Sequence, residues 1–233
     1  MMDNEGSIIK DKSNYFSDPQ VERMLRAAHT YEVWLLILLL WRTGRRISEI
    51  LVLKPRDIDF DNNLIYWKIL KKKKPRREWK AQDDYTIRQL KKYIAFAKIK
   101  DYEWVFTSPR KGGKKYKRKY PIPRSRKWAF CMVRELAEKA NIVFKKNKKV
   151  ATVVKDGGFT IYELKPGWHP HHFRHSFAIN FLKKSDTATA LPMLKDQLAH
   201  ANMAVTQHYL EFSQKDRVEM LNKIFSKEKR KKT

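Results

Sequence analysis

The stretch VWLLILLLW, residues 33–41, places nine apolar or aromatic side chains in a row within a strongly charged chain. Charged residues make up 33% of the 233 residues, and Glu32 and Arg42 border the run directly. Nine residues are too few to cross a bilayer, which takes about 20. No charged leader with a cleavage site precedes the run. We therefore expect a helix that is buried on all sides in the core of a cytoplasmic protein.

The balance of charge indicates the kind of partner. The chain has 52 Lys and Arg residues against 25 Asp and Glu, a formal net charge of +27 at pH 7. Such an excess repels itself in a compact chain, so a polyanion such as nucleic acid is the expected partner. A generically basic protein is the alternative. A membrane surface is not expected, because no basic amphipathic helix stands out.

The single cysteine, Cys131, excludes an intramolecular disulfide. This usage is typical of a protein from the reducing cytosol. Cys131 lies within an apolar pattern of helical period, which predicts a small core residue.

Local patterns predict a predominantly helical chain with two β-hairpins. Ser17 suits a helix N-cap, and Thr43-Gly44 is typical of a helix end. β-prone runs around a lysine cluster predict a hairpin across 64–81, and Asp156-Gly157-Gly158 predicts a second. Apolar residues at helical spacing predict further helices over 45–53, 83–99, 125–141, 170–184, 187–199, 203–210 and 214–226.

The segment HPHHFRHSFAIN, residues 169–180, contains four of the seven histidines. On a helix, His171 and His175 would share a face and could begin a zinc site. Arg174 opposes that interpretation, because a guanidinium beside a dication is unfavourable, and no carboxylate lies between Glu163 and Asp186. We therefore expect no metal.

Two interpretations of this segment remain. Phe173, Phe177 and Phe181 recur every four residues, which predicts a face packed on the core with merely solvated histidines. That account does not explain His171 and Arg174, which lie three apart on one helical face. A permanently charged fork beside a group that titrates near neutral pH suits a phosphate.

Three segments, TGRRISEILVLKPRDIDF, HPHHFRHSFA and LAHANMAVTQHY, resemble in order and spacing the signature boxes of the tyrosine recombinase (phage integrase) catalytic domain. The resemblance covers about residues 17–225, between a loose leader, 1–16, and a basic tail, 226–233. It implies a predominantly helical α+β domain with a small antiparallel sheet. It also implies a protein of a mobile genetic element that cleaves and rejoins double-stranded DNA through a covalent 3′-phosphotyrosine, without a cofactor, as a dimer or tetramer on DNA.

The boxes assign most of the catalytic residues. T-G-x-R selects Arg46 rather than Arg45, and H-x-x-R selects His171 rather than His172. The third box retains its histidine, although Ala199 replaces a common glycine. The catalytic lysine of the family lies on a hairpin, often between glycines, and LKKKKPRR has none. Lys71 directly follows the strand and is chosen, with Lys72 to Lys74 as alternatives. The predicted catalytic set is Arg46, Lys71, His171, Arg174, His200 and Tyr209.

These residue types suit phosphodiester cleavage. A free tyrosine is only about 0.1% ionised at pH 7, a deficit of about 4 kcal/mol. Arg46 and Arg174 would favour the phenolate and bind the non-bridging oxygens. The lysine would protonate the departing 5′-oxygen. Proton transfer and hydrogen bonding remain alternatives for His171 and His200. Glu49 and Asp57 are expected to brace Arg46.

The remaining basic residues are expected to bind DNA phosphates. Residues 71–80 and 110–127 carry more positive charge than an ordinary solvated face. The predicted contacts are Lys72, Lys73, Lys74, Arg76, Lys114, Lys115, Lys117 and Arg118.

Two features leave alternatives open. Members of the family typically carry a helical, DNA-clamping domain before the first box, whereas 45 residues precede Arg46 here. The chain is therefore either a catalytic fragment or a minimal recombinase. A type IB topoisomerase uses a similar residue set, and a non-catalytic DNA-binding accessory protein could share the fold. The segment 145–165 is longer than the usual connection in the family.

Overall fold

A computed structural model describes residues 15–69, 76–108, 122–143, 149–155, 158–164, 167–185 and 190–199, with the backbone alone at Arg76 and within 149–164. The helices are α1 (Asp18–Ala27), α2 (Tyr31–Thr43), α3 (Ile47–Ile50), α4 (Asp84–Phe96), α5 (Arg126–Lys139), α6 (Pro170–Lys184) and α7 (Ala190–Leu198). The strands are β1 (Ile58–Asp59), β2 (Leu64–Ile69), β3 (Arg76–Ala81), β4 (Lys149–Lys155) and β5 (Gly158–Leu164). The fold is α+β and predominantly helical, as predicted.

The apolar run forms the central helix, α2. Thr30 caps it, because its hydroxyl accepts a hydrogen bond from the Val33 amide at 3.2 Å. Val33 and all residues of 35–40 are buried, and α2 packs against α1, α4, α5 and α6. The prediction of a buried helix is confirmed, although Trp34 and Trp41 are only partly buried. Among the described residues, no helix combines the length and apolar character that a membrane crossing requires.

The three strands β1, β2 and β3 form one antiparallel sheet, which confirms the hairpin across 64–81. Ile65, Trp67 and Ile69 of β2 are buried, since alternate residues of a strand face the same side. Tyr66 lies opposite Trp79 on the other face, with ring centroids 4.7 Å apart. The second hairpin is also confirmed, because β4 and β5 pair from Lys149–Leu164 to Lys155–Gly158.

Two local expectations are wrong. The helix after Gly44 does not continue to Leu53 but ends at Ile50. Pro55 disfavours helical geometry at Lys54 and opens a short 3-10 turn instead. Cys131 is exposed rather than buried. Helix α5 buries the opposite stripe, which consists of Ala129, Val133, Leu136 and Ala137.

Candidate active site

The first box lies at a sharp joint between α2 and α3. Gly44 has φ +60°, the left-handed region that side chains rarely adopt. A Cβ at Gly44 would lie 2.6 Å from Phe177 Cδ1 and 2.9 Å from Leu198 Cδ2. The absence of a side chain therefore lets α6 and α7 approach the end of α2 closely.

Arg46 follows this joint, and the carboxylate of Glu49 accepts hydrogen bonds from Arg46. Arg46 Nη1 donates to Glu49 Oε1 at 3.1 Å, and the Arg46 amide donates to Oε2 at 3.4 Å. The Glu49 side chain is fully buried, whereas that of Arg46 is 20% exposed. A fixed carboxylate thus orients a guanidinium that still reaches the surface.

Asp57 does not brace Arg46. Its Oδ2 accepts from the Lys54 amide at 3.3 Å, and its Oδ1 lies 4.0 Å from Arg77 Nη1. Three residues after Lys54, Asp57 closes the short turn at Pro55, so its nearest backbone donor is local. The expectation of a bracing carboxylate holds for Glu49 alone.

Arg174 joins the segments that the sequence boxes contain. Arg174 lies on α6 and is 1% exposed, and its Nη1 donates to the Gly44 carbonyl at 3.0 Å. Nη2 donates to the Leu198 carbonyl at 2.6 Å. Gly44 lies two residues before Arg46, and Leu198 two residues before His200. One guanidinium therefore holds the three boxes together.

His171 lies beside these arginines with part of its surface exposed. The protein packed around the ring lowers the pKa of His171 to about 4, helped by positive charge on His175, Arg174 and Arg46. The His175 ring meets it edge-on, with centroids 4.7 Å apart. His171 is therefore neutral near pH 7, with one ring nitrogen as donor and one as acceptor.

His169 and His172 form a separate, structural pair. Residue His172 is 7% exposed, and its Nδ1 accepts from the His169 amide at 3.1 Å. Burial lowers the pKa of His172 to about 3. Over the described ranges, no three His, Cys, Asp or Glu side chains are grouped as metal ligands.

Several predicted site residues lie outside the described residues. They are Lys71, Lys72, Lys73, Lys74, Lys114, Lys115, Lys117, Arg118, His200 and Tyr209. Arg76 begins β3 opposite Ile69, at the end of the β2–β3 pair that adjoins the connecting residues 70–75 in the sequence. The structure thus brings together Arg46, His171 and Arg174 and ends beside His200, at Ala199.

A group of charges behind the first box, in which Arg45 and Lys80 are buried, was not predicted from the sequence. Arg45 is only 1% exposed. Its Nη1 lies 3.9 Å from Glu49 Oε2, and its guanidinium lies 5.4 Å from the centre of the Trp67 ring. On β3, Lys80 Nζ lies 3.4 Å from Glu78 and donates to Asp196 of α7 at 2.6 Å. Charged residues are normally assigned to the surface, so no local pattern points to this group.

The arrangement suits an anion with several oxygens. Two guanidinium groups and a neutral imidazole lie near one another, and the Arg46 side chain reaches the surface. Guanidinium forks match the geometry of phosphate oxygens, and a neutral imidazole can donate a further hydrogen bond. The described part of the site therefore fits a phosphodiester.

Comparison with known proteins agrees with the geometry. A family model described as the phage integrase family matches residues 14–216. The crystal structure of XerA recombinase superposes with a TM-score of 0.65 at 21% identity, over 90% of this chain and 63% of that one. XerH recombinase bound to a palindromic difH substrate gives a TM-score of 0.60 at 20% identity, over 90% of this chain and 52% of that one.

The Tn1549 transposon integrase in complex with circular intermediate DNA gives a TM-score of 0.58 at 19% identity, over 89% of this chain and 64% of that one. This chain therefore spans about half to two thirds of the solved chains it matches. No curated protein matches it significantly. The shared fold is the tyrosine recombinase catalytic domain.

Proposed function

We propose, from the premise that this chain belongs to the phage integrase family, that it is a site-specific recombinase that cleaves and rejoins double-stranded DNA. The observation that carries the proposal is the position of Arg174, which binds Gly44 of the first box and Leu198 of the third. XerH and the Tn1549 integrase were solved with DNA, which supports DNA as the substrate here.

In the proposed reaction, Tyr209 loses its phenolic proton to water, and its Oη attacks the phosphorus of one strand. The bond from phosphorus to the 5′-oxygen breaks, and the chain keeps a 3′-phosphotyrosine. Arg46 and Arg174 stabilise the charge that grows on the non-bridging oxygens. Lys71, with Lys72 to Lys74 as alternatives, gives its proton to the departing 5′-oxygen.

The return step uses the same groups in reverse. A 5′-hydroxyl attacks the phosphotyrosine and loses its proton to the lysine. The bond from phosphorus to Tyr209 Oη breaks, and the released phenolate takes up a proton from water. His171, neutral at pH 7 because its pKa is about 4, supplies a hydrogen bond rather than a charge to the phosphate. His200 is proposed as its partner on the third box. The phosphotyrosine conserves the bond energy, so the return step needs no ATP. The scheme gives the stabilisation of charge to Arg46 and Arg174 and the proton transfer to the lysine, so it includes no metal.

The remaining basic residues serve as phosphate contacts in this proposal. Lys72 to Lys74 and Arg76 would bind DNA near the cleaved strand, and the basic segment 110–127 would bind farther along. Self-association into a dimer or tetramer on DNA is also proposed, because exchange of strands between two duplexes needs more than one active site.

Trapping of the covalent intermediate tests the proposal. On a nicked suicide duplex, the cleaved fragment diffuses away and the protein–DNA adduct survives denaturation. The wild-type chain should form this adduct without added metal, whereas Tyr209→Phe should form none and bind DNA with nearly unchanged affinity. Tyr102→Phe, at an exposed tyrosine, is the matched control and should react normally.

The same assay separates the alternatives. An adduct of normal yield from Tyr209→Phe would eliminate Tyr209 as nucleophile. No adduct from the wild-type chain would favour a non-catalytic accessory protein. Two further substrates test the topoisomerase: a chain that forms the adduct and relaxes a supercoiled plasmid, but never exchanges strands between two duplexes, would favour a type IB topoisomerase.

A further inference from the structure

Arg45 is an arginine that packing alone does not explain. Arg45 is 1% exposed, and its Nε, Nη1 and Nη2 have no hydrogen-bond partner in the part of the chain that the structure describes. Buried polar atoms are normally hydrogen-bonded, and an apolar side chain of similar volume is often as stable or more stable at such a site. A cation held here at a cost in stability points to a role for its charge.

The carboxylate nearest to Arg45 is the one that orients Arg46. Glu49 Oε1 accepts from Arg46 Nη1 at 3.1 Å, while Oε2 lies 3.9 Å from Arg45 Nη1. Both the Arg45 and the Glu49 side chains are fully buried, so water screens their interaction weakly. Two guanidinium groups therefore share one carboxylate, and the three side chains together carry one net positive charge.

The other charges that face Arg45 leave this balance in place. Glu78 of β3 and Asp196 of α7 act on Arg45 from the sheet and from the helix. Lys80 lies 3.4 Å from Glu78 and 2.6 Å from Asp196, so it offsets one of these two negative charges. The side chain of Asp196 is 73% exposed, so water screens the charge that is left. Burial lowers the pKa of Arg45 only to about 10, which leaves it charged near neutral pH.

We infer that Arg45 is a positioning residue for the proposed cleavage reaction, because its charge offsets Glu49 and lets Arg46 present a net positive charge to the phosphate. Glu49 then orients Arg46 without neutralising it. The inference rests on the proposed function and adds to it a residue that does not touch the substrate.

Removal of Arg45 would leave Glu49 and Arg46 as a neutral buried pair. Arg46 would keep its hydrogen bonds but would attract the phosphate and the phenolate less strongly. We expect R45M to form the covalent adduct roughly 10- to 100-fold more slowly, below the loss for a group that contacts the oxyanion directly. The melting temperature should not fall, since Met has an unbranched stem and replaces a buried cation that makes no hydrogen bond, while Glu49 keeps Arg46 as its partner.

A second substitution separates charge from packing. The Gln of E49Q can still accept a hydrogen bond from Arg46 but carries no charge, so R45M/E49Q restores the net positive charge of the group. The double variant should regain most of the rate that R45M loses. R42L removes a cation from an exposed position on the same stretch and is the matched control, with an unchanged rate.

The measurement is single-turnover adduct formation on the nicked suicide duplex, together with DNA affinity and melting temperature. R45L serves beside R45M so that one folded variant is available. The inference is overturned if the folded variants match a wild-type chain that forms adduct, or if R45M/E49Q is no faster than R45M. A wild-type chain that forms no adduct contradicts the proposed function itself.

Discussion

Arg174 holds the site together with two of its five N–H donors. Nη1 and Nη2 bind the carbonyls of Gly44 and Leu198, which belong to segments far apart in the chain. A lysine has three donors on a single nitrogen and cannot span these two acceptors while it also makes the proposed contact with a phosphate. Orientation and charge therefore depend on the same planar group.

Arg174→Lys should slow adduct formation by about a hundredfold or more, the loss typical of a missing oxyanion donor. The melting temperature should fall as well, because two buried carbonyls lose their partner. Arg88→Lys, at an exposed arginine, is the control. Adduct formation at the wild-type rate in Arg174→Lys would remove Arg174 from the site.

His172 makes stability depend on pH. Burial lowers the pKa of His172 to about 3 in the folded chain, against about 6.5 when unfolded. Between these values the unfolded chain binds more protons, so stability falls as pH falls below about 6.5. At pH 5 the loss from His172 alone is about 2 kcal/mol.

Urea unfolding at pH 7 and pH 5 measures this loss. His172→Asn keeps an acceptor for the His169 amide but does not titrate. Between pH 7 and pH 5 its free energy of unfolding should therefore fall by about 2 kcal/mol less than that of the wild-type chain. An equal loss in both proteins would mean that His172 is not buried in its neutral form.

At the scale of elements, two joints use the left-handed conformation. Gly44 ends α2 with φ 60°, and Ala199 follows α7 with φ 52°. The first joint brings α6 and α7 against α2, and the second lies at the end of α7, directly before His200 in the sequence. Members of the family commonly have glycine where this chain has Ala199. The left-handed backbone at Ala199 gives the physical reason, because glycine adopts this conformation without strain.

Ala199→Gly should raise the free energy of unfolding by about 0.5 kcal/mol, because relief of left-handed strain exceeds the added entropy of the unfolded chain. Gly44→Ala adds a side chain at a left-handed position and should lower the free energy of unfolding by about 2 kcal/mol or more, since its Cβ would also lie 2.6 Å from Phe177. Urea titrations measure both. A destabilised Ala199→Gly would contradict the assignment of strain.

At the scale of the whole molecule, we expect the net charge of +27 to dominate the proposed binding to DNA. Phosphate contacts release counterions and position a protein on DNA, but they carry little sequence information. The proposed contacts at Lys72 to Lys74, Arg76 and residues 110–127 are of this kind.

DNA affinity should therefore fall steeply with salt. Neutralisation of about six phosphates implies roughly a 10³-fold loss between 50 and 200 mM salt. Titrations with cognate and random duplexes over this range measure the slope and the sequence preference. A nearly flat salt dependence would contradict binding through phosphates.

The local sequence determined the elements and the candidate chemistry. The run 33–41 predicted a buried helix, the lysine cluster between two β-prone runs predicted a hairpin, and Gly44 predicted a helix end. These features depend on near neighbours, so periodicity and turn residues are enough to find them. The assignments of Lys71, His200 and Tyr209 come from the resemblance to a family and stay predictions.

Tertiary structure decided what the side chains do. The contact between Arg174 and Gly44 joins residues 130 positions apart, and no local pattern encodes such a distance. Burial of Arg45 and exposure of Cys131 both reverse the usual preference of the residue type, because the helices and the sheet around them determine which face is covered. The motif therefore identifies the residues, and long-range packing determines how Arg46, His171 and Arg174 meet.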